Sequence, residues 1–104
     1  MVKWCDDLYF DETIEDSKEM IMNKIEQGIC QKGVYVIALA SNDNNLFDIY
    51  NVNEIQMNYY KKRIIKIVAI LGSKEHAISQ VASMIMDMIN KCGVINPKTY
   101  YSFI

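Results

Sequence analysis

Histidine and proline each occur once in the 104 residues, cysteine three times and glycine four times. Each scarcity removes a class of function. A single imidazole (His76) and three widely spaced thiols (Cys5, Cys30, Cys92), with no C-x-x-C, give no zinc knuckle and no disulfide framework. Reduced and mostly buried cysteines are the expectation, since a free thiol packs as a small hydrophobe. With so little glycine and proline, most of the chain should be regular structure. Long apolar runs are missing too: Ile67 to Leu71 is far short of a membrane span. The start, "MVKWCDDLYFDE", lacks the basic-then-apolar order of a secretory signal. A cytoplasmic protein with no membrane partner is expected.

What is present is a globular composition, 51% apolar and 23% charged, fitting one domain over 1–104. Net charge is only −2, but it is unevenly placed. Through Glu19 seven acids stand against Lys3 and Lys18, whereas five basic residues and no acid lie between Lys61 and Lys74.

Residues 2–10 alternate loosely and read as a strand. In "DETIEDSKEMIMNKIEQGICQKG", Thr13 and Asp16 resemble a capping box, Ile14, Ile21, Ile25 and Ile29 recur at helical spacing, and Gly33 can close the helix. "VYVIALA" (34–40) reads as a central strand, "SNDNN" as a turn, and "LFDIYNV" (46–52) as the half-exposed arm of a hairpin. "NEIQMNYYKKR" predicts a short helix capped by Asn53, and "IIKIVAIL" (64–71) a second buried strand. From Ser73 to Cys92 apolar residues at Ala77, Ile78, Val81, Ala82, Ile85, Met88, Ile89 and Cys92 predict one amphipathic helix with one apolar stripe, stopped by Gly93. "YYSFI" reads as a last strand. The pattern implies an α+β fold: a mixed or antiparallel sheet with two main helices on one face, ferredoxin-like with an inserted hairpin. A small three-layer α/β sandwich is the rival.

Four stretches are candidates for function. Gly72, Ser73 and Lys74 open a helix, where free N–H groups can hold a small anion. The full Walker and dinucleotide patterns are absent, and Ser73 is equally explained as an N-cap. His76, in that first turn, has no carboxylate facing it from its own helix, and the sequence singles out neither a nucleophile–base pair nor a metal set. "YYKKR" (Tyr59, Tyr60, Lys61, Lys62, Arg63) joins two rings to three cations and suits a partner surface; the acidic pI argues against nucleic acid. Asp11, Glu12, Glu15 and Asp16 form an acidic face suited to docking on a basic partner. "KGVYVIAL" matches the Lys-Gly start of an RNA-recognition signature, but Val34, Val36 and Leu39 stand where base-stacking aromatics belong, which removes that function. An exposed "YYSFI" strand would pair edge to edge with a second copy in a homodimer.

The stretch "IVAILGSKEHAISQVASMIMD" resembles a segment of small bacterial proteins of unknown function, in which a strand, a glycine and a Lys/Glu-Ala helix follow one another. The resemblance brings no activity, and the abundance of Ile, Asn, Lys and Met suits an AT-rich bacterial or phage genome. The expected function is a non-catalytic protein-binding module without cofactor or metal, of an inhibitor or immunity type. The alternative is a regulatory domain holding a small anion at Gly72-Ser73.

Overall fold

The computed structural model describes residues 1–56 and 63–103. In chain order it contains β1 (Val2–Phe10), a 3-10 turn (Glu12–Ser17), α1 (Lys18–Gln27), β2 (Tyr35–Leu39), β3 (Phe47–Asn51), a second 3-10 turn (Glu54–Gln56), β4 (Ile65–Leu71), α2 (Lys74–Cys92) and α3 (Pro97–Tyr100). Of the helix expected over 53–63, the described part contains the second 3-10 turn, and 57–62 lie outside the described residues.

β4 organises the sheet because its sequence leaves it no exposed face. Ile65 and every residue from Ile67 to Leu71 are buried; Lys66 alone is exposed. Taken out of water, side chains of this kind contribute roughly 1.5–3 kcal/mol each, so β4 belongs in the middle with neighbours on both edges. β1 pairs with it in parallel, Val2 opposite Ile65 and Phe10 opposite Ile70. On its other edge β2 runs antiparallel, Tyr35 opposite Leu71 and Ile37 opposite Ala69. β3 completes the order β1-β4-β2-β3 as an antiparallel, half-buried edge. The β2–β3 turn closes as its composition predicts, with Asn42 Oδ1 accepting from the amides of Asn44 and Asn45.

A bulge decides which β4 side chains face which way. Ile37 and Ala38 are adjacent on β2 but sit opposite Ala69 and Ile67, so Val68 is the extra residue. Ile65, Ile67 and Ile70 then join Val36 and Ala38 in one core, which α1 covers with Ile21 and Ile25. Val68, Ala69 and Leu71 join Ile37 in a second core, covered by Ala77 and Met84 of α2. Neighbouring strand residues point to opposite faces, so the two helices lie on opposite faces of the sheet. The α+β class stands, as helices with a four-stranded mixed sheet. The expectation of a ferredoxin-like sheet with both helices on one face does not: the layering is helix, sheet, helix, the order of the three-layer rival, and β1–β4 is a parallel pair. The reason is β4 itself, apolar on both faces and therefore in need of cover on both.

Smaller departures have local causes. The first helical segment is capped by Asp11, whose Oδ1 accepts from the Thr13 amide, and not by Thr13. It begins as the 3-10 turn and becomes α-helical only at Lys18. α1 ends at Gly28, whose φ of 75° is a left-handed conformation that glycine adopts at no steric cost. It therefore stops before Gly33 and leaves Ile29 outside, exposed. Trp4 Nε1 donates to Glu26 Oε1 at 2.7 Å and ties α1 to β1.

α2 follows its predicted bounds, with Ser73 Oγ accepting from the His76 amide and Gly93 closing the helix. The single apolar stripe does not hold, because the helix buries Ala77, Met84 and Met88 and turns Ile78 and Ile89 outward. Among the described residues the C-terminal strand is not formed either. Pro97, with its fixed φ, starts the short helix α3. Beyond it the tail makes one bridge, Phe103 to Cys5, with the Asp6 amide donating to the Ser102 carbonyl at 2.9 Å. Among the described residues "YYSFI" therefore offers that single bridge and not a strand. Of the three cysteines only Cys5 is buried; Cys30 and Cys92 are exposed. Among the described residues no helix is long and apolar enough to cross a membrane.

Candidate functional site

Parallel pairing brings the carboxyl ends of β1 and β4 side by side. β1 leaves toward the face covered by α1, and β4 toward the face covered by α2. Two neighbouring parallel strands whose exits diverge to opposite faces leave a crevice, which is where open sheets carry their ligand sites. Here the crevice is an open groove of about 350 Å³ walled by Tyr9, Asp11, Thr13, His76, Ser79 and Ser83.

Asp11 is the centre of this groove. It is only 7% exposed, and its carboxylate is fully engaged within the chain. Oδ1 accepts from the Thr13 amide at 3.2 Å, and Oδ2 accepts from the Gly72 amide at 3.1 Å. Nδ1 of His76 lies 2.5 Å from the same Oδ2. Burial pushes the carboxyl's pKa up, but hydrogen bonds from His76, the Gly72 amide and Thr13 outweigh that and hold it down at about 2. Gly72 is required by this approach: a Cβ there would run into Thr13 Oγ1 and crowd Ile14.

At the anion site predicted over Gly72, Ser73 and Lys74, one of the amides is taken by the protein's own Asp11 carboxylate. Gly72 gives its amide to Asp11, Ser73 caps the helix, and Lys74 is exposed. His76, its side chain 52% exposed, has its Nδ1 committed to Asp11. Its Nε2 makes no hydrogen bond among the described residues, so the Asp–His pair is not continued to a hydroxyl nucleophile. No group of three His, Cys, Asp or Glu side chains among the described residues is placed to hold a metal ion.

Asp11 thus leaves the predicted acidic face, because it is turned inward; Glu12, Glu15 and Asp16 remain exposed on the 3-10 turn. Of the basic-aromatic stretch, Arg63 is exposed at the amino end of β4, while Tyr59, Tyr60, Lys61 and Lys62 lie outside the described residues. The sequence reading missed the partner of His76, which lies 65 residues away. The signal lay in topology: once β1 and β4 are taken as parallel neighbours, the residues following Phe10 and Leu71 must meet.

Two further surfaces carry functional potential. The outer face of α2 exposes Ile78 (55%), Met86 (54%) and Ile89 (41%), with Ala82 exposed between them. At the amino end of β4 a second cavity, of about 400 Å³, has Arg63, Lys66 and Lys98 in its wall. Comparison with family models, with curated proteins and with solved structures finds no match for the chain.

Proposed function

We propose that the chain is a protein-binding module that docks through the outer face of α2, with a second copy of itself as the partner. The observation that carries this is the spacing of the outward residues. Single exposed hydrophobes are ordinary on any surface, but Ile78, Ala82, half-buried Ile85 and Ile89 follow one another at i, i+4, i+7 and i+11. That is a continuous apolar stripe of the kind a helix buries against a neighbour. α2 already spends its other stripe (Ala77, Met84, Met88) on the sheet, and among the described residues Ile78 and Ile89 of the outer stripe stay exposed. Contiguous apolar surface of this sort marks interaction sites.

A second copy suits the stripe because it needs no complementary sequence from elsewhere. A two-fold, antiparallel crossing sets each stripe on the other and opposes the two helix dipoles favourably. Ala82, small and near the middle, lets the axes approach to roughly 8–10 Å. The inhibitor-type version of the reading, in which acids cover a basic partner, is left with Glu12, Glu15 and Asp16.

Sedimentation equilibrium of the full chain tests the proposal. A dimer is expected for the wild type and a folded monomer for Ile78→Glu with Ile89→Glu, with unchanged circular dichroism. A wild-type monomer at every concentration, or a variant that dimerises as before, would overturn it.

A further inference from the structure

We propose that His76 is a phosphoryl-accepting residue, taking a phosphoryl group on Nε2 from a phosphoramidate that enters the groove at the carboxyl ends of β1 and β4. The site is independent of the dimer proposed above, because Ile78 lies about 200° around the helix from His76.

Asp11 prepares the imidazole. With its carboxyl held down at about 2, the side chain is ionised at neutral pH and can only accept hydrogen bonds. Nδ1 of His76, 2.5 Å from Oδ2, is then the ring nitrogen that carries the proton. The lone pair is left on Nε2, which has no partner among the described residues, on a side chain that is half-exposed. With no hydroxyl in between, the imidazole is itself the nucleophile that the groove presents. Asp11 is its positioning residue: it fixes the tautomer, orients the ring and stabilises the cation formed when Nε2 bonds to phosphorus.

The donors around the groove favour phosphorus over an acyl carbon. Acyl transfer needs amides aimed at a developing oxyanion, and the amides beside His76 are committed. Those of Gly72 and Thr13 go to Asp11, that of His76 to Ser73 Oγ and that of Ala77 to the Ser73 carbonyl. A phosphoryl group asks instead for positive potential and for several donors around its oxygens. His76 stands in the first turn of α2, at the positive end of the helix dipole. Lys74 is exposed two residues before it, and Tyr9, Ser79 and Ser83 bring hydroxyls to the same groove. Glu12 in the wall and Glu75 in the helix are both exposed, so water and salt screen their charge. In the step itself the Nε2 lone pair forms a bond to phosphorus as the P–N bond of the donor breaks. The electron pair leaves on the donor's protonated nitrogen, which departs as a neutral amine, and the Nδ1 proton stays on the ring, hydrogen-bonded to Asp11. One P–N bond replaces another, with nothing oxidised or reduced.

The test is incubation of the full chain with phosphoramidate, followed by intact mass and by heteronuclear NMR to identify the nitrogen that carries phosphorus. The chain has a single histidine, so the modified residue is unambiguous. One acid-labile phosphoryl group is expected, on Nε2 alone, forming at least about tenfold faster than on N-acetylhistidine or on Asp11→Asn. Free imidazole offers both nitrogens, so restriction to Nε2 reads the Asp11 contact in the wild type and does not depend on any variant folding. His76→Gln should take up no such group. No adduct, an Nδ1 isomer, a rate equal to that of N-acetylhistidine, an Asp11→Asn variant as fast as wild type, or an acid-labile adduct on His76→Gln would each overturn the assignment.

Discussion

The two ends of β4 handle charge in opposite ways. At the carboxyl end, Asp11 meets the Gly72 amide, the Thr13 amide and His76, so its charge is consumed within the chain. At the amino end, Arg63, Lys66 and Lys98 line a cavity, and no carboxylate among the described residues does. The first arrangement is a joint, in which a buried carboxylate clamps the exits of two parallel strands. The second gathers basic side chains on the wall of a cavity, with Lys98 meeting Asp43 in a solvated pair. A charged residue near a pocket is thus informative only together with what already answers it.

Removing charge should separate the two ends. Asp11→Ala deletes the acceptor for two backbone amides and the partner of His76, and leaving such groups unsatisfied costs about 1–3 kcal/mol. A fall of that size in unfolding free energy, read from urea denaturation, is the largest effect expected. A variant as stable as wild type would mean that the clamp is not structural.

The pH dependence of stability comes next. The Asp11 carboxyl is lowered from 3.8 to about 2 in the folded chain. A carboxyl depressed on folding contributes in full above its unfolded pKa and loses that contribution as pH falls through the folded one. Stability should therefore drop between about pH 4 and pH 2, by an amount of order 1 kcal/mol once solvent screening at the open groove is allowed for. This component should be missing from Asp11→Asn. An identical acid profile in wild type and variant would break the account of the clamp.

At the other end, Lys66→Ser with Lys98→Ser should move the unfolding free energy by no more than about 0.5 kcal/mol, since both side chains are exposed and the Lys98–Asp43 pair is solvated. A loss comparable to that of Asp11→Ala would make the basic end a structural feature as well and erase the contrast.

Much of the architecture was legible, because strands and long helices announce themselves through period and punctuation. β1, β2, β3 and β4 fall within the stretches that alternation and β-branched runs mark out, and Ser73 and Gly93 delimit α2 as capping chemistry requires. Layering was misread although its signal was present. A strand as apolar as "IKIVAIL" has no face to leave uncovered, and that alone argues for helices on both sides. The α2 stripe was misread for a related reason. Helical spacing shows that Ala77 and Ile78 share a broad apolar arc, but not that the sheet takes only one edge of it. The tail "YYSFI" has strand composition, yet Pro97 and the single bridge to Cys5 leave it too little ladder to form one. Asp11 read as one surface acid among several because its partners, Gly72 and His76, are distant in sequence and meet it only through strand pairing.

The parallel β1–β4 pair also shapes how the chain acquires its structure. Val2 has its partner at Ile65, so β1 must wait for the synthesis of about sixty further residues before that edge is filled. Closing so long a loop costs entropy that grows only slowly with length, but pairing of this range is slow to form. The β2–β3 hairpin, by contrast, can close on contiguous chain. Until β4 emerges, Trp4 and Phe10 have no sheet to pack into, which makes the interval before residue 71 the stage at which a nascent chain is most exposed to wrong partners.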